Sequence, residues 1–148
     1  MKLNKMIIVL LSILLSPSIA LASWVKLSPE QLVGQSKLAV IGEFIGTTSI
    51  AAQEKGKTLI VGVIKVETVL DGSVQDDLLL IAIPNAGAPL VSSTILFRKG
   101  QTGLWLLTQH SPNNAALYSA SHPQQFTPSS DSDTINHLKK LLAQLKQH

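Results

Sequence analysis

Two long β-type runs joined by one short polar turn constrain this chain more than any other feature. Residues 37–50 put Leu38, Val40 and Phe44 on one face and Ile41 and Ile45 on the other, the two-residue period of a strand. Gly42 and Gly46 fall inside that run, where glycine marks a bulge, a sharp coil or a close backbone approach. Residues 53–57 read as a polar turn around Gly56. Residues 58–70 are the clearest strand, with Ile60, Ile64, Val66 and Leu70 on one parity and Lys65 and Glu67 interrupting the other. Such a strand begins buried on both faces and ends half exposed, and Asp71-Gly72 closes it with a turn pair. Long strands carrying internal glycines suit a tightly curved small barrel.

The remaining segments extend this pattern. Residues 78–83 form a short apolar strand between Asp76-Asp77 and Pro84. Residues 84–93, with Asn85, Gly87 and Pro89, form an open connection. Residues 94–97 and 104–108 read as the arms of a hairpin around 98–101, and residues 115–120 as a further strand after Pro112-Asn113-Asn114. Residues 121–130 are a polar, proline-containing surface crossing. A helix flanks the strands at each end. Ser28-Pro29-Glu30-Gln31 has the cap, first-position proline and third-position glutamine of a helix start, with Leu32 and Val33 as its buried contacts. Over residues 131–147, Asp131 or Asp133 caps a helix whose Ile135, Leu138, Leu141, Leu142 and Leu145 share one face. That stripe is expected to dock on the barrel.

Residues 1–22 carry an address. Lys2 and Lys5 precede a run from Met6 to Leu15 that is apolar apart from Ser12, and Ala20-Leu21-Ala22 supplies small residues at its end. This is the order of a secretory signal peptide, with cleavage expected between Ala22 and Ser23. The apolar core is about half of the roughly 20 residues that a membrane-crossing helix needs. The expected domains are therefore a leader, 1–22, and a single domain, 23–148, that is periplasmic or secreted and free of the membrane once processed. Two of the 12 basic residues lie in the leader, which leaves 10 against 9 acids. A surface so close to neutral gives no electrostatic footing for nucleic acid. The chain has no cysteine, which rules out thiolate metal sites, cysteine nucleophiles and disulfide staples. Stability must come from burial.

The sequence offers little chemistry. The four histidines, His110, His122, His137 and His148, lack the short-spaced pair of a zinc or copper site, so no metal and no other cofactor are expected. His137 follows Asp133 by four residues, the spacing of a surface pair on a helix. Asp76 and Asp77 are adjacent and would point to opposite faces of a strand, so they read as a solvated turn. No Gly-x-Ser-x-Gly elbow and no phosphate-binding glycine loop occur. Phe44, Phe97 and Trp105 are expected in the core. Trp24, beside the new N-terminus, is left with Asn85 and Pro89 of the open connection as the candidate binding surface.

Leu38-Ala39-Val40-Ile41-Gly42-Glu43-Phe44, Val66-Glu67-Thr68-Val69-Leu70-Asp71-Gly72 and Lys99-Gly100-Gln101-Thr102-Gly103-Leu104-Trp105-Leu106-Leu107 give the chain an order that resembles bacterial exported proteins with an OB-like barrel. Those proteins are related in shape to netrin and tissue-metalloproteinase-inhibitor domains. The resemblance implies a mainly β fold: a small antiparallel OB-like barrel of five or six strands, with a short N-terminal helix and a C-terminal amphipathic helix. It does not carry protease inhibition, because the inhibitors chelate zinc through an N-terminal cysteine and this chain has none. The function expected is non-catalytic binding of a protein or an extended glycan at the barrel mouth. The alternatives are a periplasmic assembly factor that acts through its C-terminal helix and, behind it, a hydrolase.

Overall fold

Two 14-residue strands, β1 (Leu38–Ala51) and β2 (Thr58–Asp71), make the antiparallel ribbon expected from the two long runs. The computed structural model describes residues 25–52, 56–83, 95–111 and 114–145. The ribbon bends through three register shifts, which leave Glu67 and Leu70 of β2 and Ile45 of β1 as extra residues. Each shift sharpens the local twist. Gly46, next to the last of them, takes φ 143°, a backbone region that residues with a Cβ rarely adopt.

Among the described residues six strands form one sheet, completed by β3 (Leu78–Ala82), β4 (Gln101–Ser111), β5 (Asn114–Ser119) and β6 (Phe126–Pro128). The sheet closes on itself because β1 pairs with β4 as well as with β2, from Leu38 opposite Leu107 to Phe44 opposite Gln101. The resulting ring, β1-β2-β3-β5-β4, is barrel-like. Its order departs from an all-antiparallel arrangement at one seam, where β3 and β5 run parallel. A closed ring with an odd number of strands cannot alternate direction all the way round, so five strands require one parallel neighbour pair.

The interior holds Leu38, Val40, Phe44, Ile64, Ile81, Trp105 and Leu107. Phe97 lies parallel to Trp105 at 6.1 Å and 5.4 Å from Phe44, and Phe126 closes on Trp105 at 4.3 Å between ring centres. The core placement expected of Phe44, Phe97 and Trp105 is thus found. Trp105 is fully buried, and its Nε1 donates to the Gly42 carbonyl at 3.1 Å, which satisfies the one polar atom of the side chain. Two members of the expected β2 stripe lie elsewhere. Leu70 turns to the outer face after the shifts in register, and Ile60 is 43% exposed where β1 has already parted from β4.

The helices pack on the outer face. α1 (Pro29–Gln35) starts with the expected capping box: Gln31 N–H donates to Ser28 Oγ at 3.2 Å, and Ser28 N–H to Gln31 Oε1 at 2.9 Å. α2 (Ser132–Leu145) is capped by Asp131, whose Oδ1 accepts from Thr134 N–H at 3.2 Å. Its Ile135, Leu138 and Leu142 join Leu32 and Val33 of α1 over Ala39, Leu104 and Leu106. The C-terminal stripe therefore docks on its own sheet, with Leu145 left 46% exposed at its end. A third, smaller cluster of Val61, Ala82 and Leu117 sits outside β2, β3 and β5.

The hairpin expected over residues 94–108 is not formed. Residues 95–98 join no strand. One edge of β4 is held by β1 and the other by β5 and β6, so no edge remains for them. Ile95 and Phe97 turn into the core instead. The expected turn does exist: Gln101 N–H donates to the Arg98 carbonyl at 3.1 Å, and Gly100 N–H to the Phe44 carbonyl at 2.8 Å.

Candidate functional site

Residues 95–101 lead into β4 at the end of the ring where β3 finishes. Trp24, Asn85 and Pro89, proposed from sequence as the binding surface, and the Ala22–Ser23 cleavage site lie outside the described residues. Among the described residues, two segments, 95–101 and 123–128, form a groove of about 620 Å³. Ile95 and Leu96 line one side, Pro123, Phe126 and Pro128 the other, and Arg98, Lys99 and Gln101 the rim. Leu96 is 51% exposed between the buried Ile95 and the core-facing Phe97. Its neighbours fix its backbone while its own side chain meets solvent.

The charge of this groove is one-sided. Arg98 and Lys99 are both exposed, and no acid occurs among the described lining residues. The turn beneath them is closed on itself, because Arg98 N–H donates to Gln101 Oε1 at 3.0 Å. Main-chain groups are thereby satisfied locally, and both cationic side chains are left to face outward.

The opposite wall is held by two polar devices. β5 leaves β4 at Ser119, opposite Thr108, and β6 rejoins it at Phe126, opposite Trp105. Gln125, 7% exposed, fills the gap: its Nε2 donates to the Leu106 carbonyl at 3.0 Å, and its Oε1 accepts from Ser121 and His122 N–H, each at 2.8 Å. A 3₁₀ turn, Pro123–Gln125, is thus stitched to the sheet through a side chain. The second device is a clasp to the segment that precedes α1. Gln124 exchanges two hydrogen bonds with the backbone of Leu27, at 2.8 and 3.0 Å. His122 Nδ1 accepts from Gln124 N–H at 3.3 Å, so Nε2 carries the proton and donates to the Val25 carbonyl at 3.0 Å.

Other concavities carry no Lys or Arg on their described walls. At the opposite end of the ring a cleft of about 320 Å³ lies between the β2–β3 turn and β5, with Asp76, Gln75 and Tyr118 on its walls. Asp76 and Asp77 are both exposed there, in the solvated turn expected for them. A third groove, about 360 Å³, runs between α1 and α2 past Leu32, His137 and Leu138. Among the described residues no three His, Asp or Glu side chains gather closely enough to hold a metal ion. No described helix is long and apolar enough to cross a membrane.

No protein-family model matches this chain, and no curated protein matches it.

Sequence reasoning does not single out these residues. It places Arg98-Lys99 in a hairpin turn and Leu96 in the adjoining strand. The usable signal is local: an apolar residue flanked by two others and followed at once by adjacent cations. Gln125 leaves no signal, because its value depends on a carbonyl 19 residues away.

Proposed function

We propose that this chain is a non-catalytic binding module that acts after export, in the periplasm or outside the cell, and binds its partner at the mouth of the ring. One observation carries the reading. The 620 Å³ groove has apolar walls braced by the core aromatics and an exposed cationic rim. Concave, mostly apolar surfaces with a few placed polar groups are where ligands bind. The wall is preformed: Phe126 rests on the buried Trp105, so binding need not order it first.

The leader supports the address. Residues 1–22 have the charged, apolar and small-residue order of a signal peptide. N-terminal sequencing of protein recovered from the periplasm or medium is expected to begin at Ser23, and a chain that begins at Met1 overturns the address. For the function, residues 23–148 are tested on peptide and glycan arrays and on a panel of hydrolase substrates. Saturable binding without turnover is expected. Turnover abolished by replacing one acid or histidine would instead establish an enzyme.

A further inference from the structure

Building on that reading, we propose that the groove between residues 95–101 and the 3₁₀ turn accepts an extended acidic peptide segment, a carboxylate meeting Arg98 and Lys99 while apolar side chains cover Leu96, Pro123 and Phe126. Three features of the site select this chemistry. First, its charge is of one sign: both titratable groups on the described lining are cations, and both are exposed. An arginine guanidinium receives a carboxylate through two parallel hydrogen bonds, and a neighbouring lysine adds a mobile point charge.

Second, the lining is poor in neutral hydrogen-bonding side chains. Gln101 is the one on the described walls, and its Oε1 is already engaged by Arg98 N–H. A glycan presents many hydroxyls, and each one desolvated against Ile95, Pro123, Phe126 or Pro128 would lose water without gaining a partner. An extended peptide alternates polar and apolar side chains and can direct each to the surface that suits it. Third, the surface is a groove and not a projection. Membrane attachment calls for a larger apolar face or several cations, since each cation near an anionic bilayer contributes about 1 kcal/mol. One exposed leucine and two cations fall short of that. Two cations are likewise few for nucleic acid, whose affinity grows with the number of phosphates neutralised.

The test uses residues 23–148 and works with the partner unidentified. A displayed random-peptide library is selected on the immobilised protein, and the enriched peptides are measured by fluorescence anisotropy. Enrichment of segments with one or more Asp or Glu beside Pro, Leu or aromatic residues is expected. Replacing their acids by Asn or Gln should weaken binding by about tenfold or more, as should the double variant Arg98→Glu, Lys99→Glu, while Leu96→Ser should cost a smaller factor. All three substituted positions are solvent-exposed, and thermal melting of each variant confirms the fold. Neutral or basic enriched peptides, equal binding by the charge-reversed protein, or stronger binding to vesicles containing anionic lipid would each overturn the inference. Glycan binding without acidic-peptide binding would sink the inference and leave the binding-module reading intact. Absence of enrichment together with silence on the glycan array would sink both.

Discussion

β4 and the outer arm of the β1–β2 ribbon are both long antiparallel β structure, yet they occupy opposite surroundings. From Gly103 to Leu107 every residue of β4 is buried, with Trp105 and Leu107 turned into the ring and Leu104 and Leu106 turned out beneath the helices. β1 pairs with β4 only as far as Phe44, and from Gly46 to Ala51 it pairs, among the described residues, with β2 alone. There Thr47, Thr48 and Ser49 are exposed. Strand propensity is similar in the two places. What differs is the number of layers that cover each strand, and this sets how much a side chain contributes to stability.

That contrast can be broken most directly at Trp105. Trp105→Ala removes the largest fully buried side chain, its contacts with Phe97 and Phe126 and the bond to the Gly42 carbonyl. A loss of about 3–5 kcal/mol is expected in urea unfolding, and a loss below about 1 kcal/mol would mean that β4 is not the central strand. Gln125→Leu comes next. It keeps much of the volume but strips hydrogen-bond partners from Leu106, Ser121 and His122, and an unpaired buried group costs about 1–3 kcal/mol. A loss of about 2–4 kcal/mol and faster amide exchange around residues 121–126 are expected, and Gln125→Glu should fare little better because its carboxylate would face the Leu106 carbonyl.

Ser28→Ala sharpens the comparison from the layer above, because α1 covers Leu104 and Leu106. Loss of the cap should cost about 1 kcal/mol, read as a lower melting temperature. Acid acts at the same helix start and more weakly. Hydrogen bonds from its own backbone and from Ser28 hold the Glu30 carboxyl below the usual carboxylate range. The support it gives is therefore complete above the unfolded carboxylate range and is lost as pH falls through the lowered folded value. Fraying confined to residues 28–31 on NMR titration is the expected result, and a cooperative loss of the whole domain in that window would contradict it. Ile60→Thr should change stability least, by no more than about 0.5 kcal/mol, because Ile60 is 43% exposed on the arm. A loss near that of Trp105→Ala would erase the distinction between the regions.

The same contrast marks what can be read from sequence. β1, β2 and both helix starts are legible because their information is local: alternation, an Asp-Gly pair, and a serine three residues before a glutamine. The inside and outside faces of β1 follow from parity, with Leu38, Val40 and Phe44 inward and Ile41 outward. The parity of β2 fails at Leu70 because extra residues at Glu67 and Leu70 reset the alternation, and nothing in Val66-Glu67-Thr68 announces a bulge. The arm at 95–98 misleads for a different reason. Its residues have strand character, but edge occupancy decides pairing, and β4 has none to spare. Gly103 illustrates the same dependence on distant chain: a Cβ there would collide with the Thr127 carbonyl oxygen, a constraint set by β6. The groove belongs to this class too, since its walls come from segments more than 20 residues apart.

The clasp between residues 25–27 and the 3₁₀ turn has a kinetic consequence. Val25 and Leu27 find their hydrogen-bond partners 97 residues later in the chain. A chain that emerges N-terminus first from a ribosome cannot fasten Val25 and Leu27 until His122 and Gln124 have also emerged. Loop closure on that scale is slow compared with the local ribbon. The ribbon can form early, whereas Val25 and Leu27 must wait until all six strands but the last have emerged.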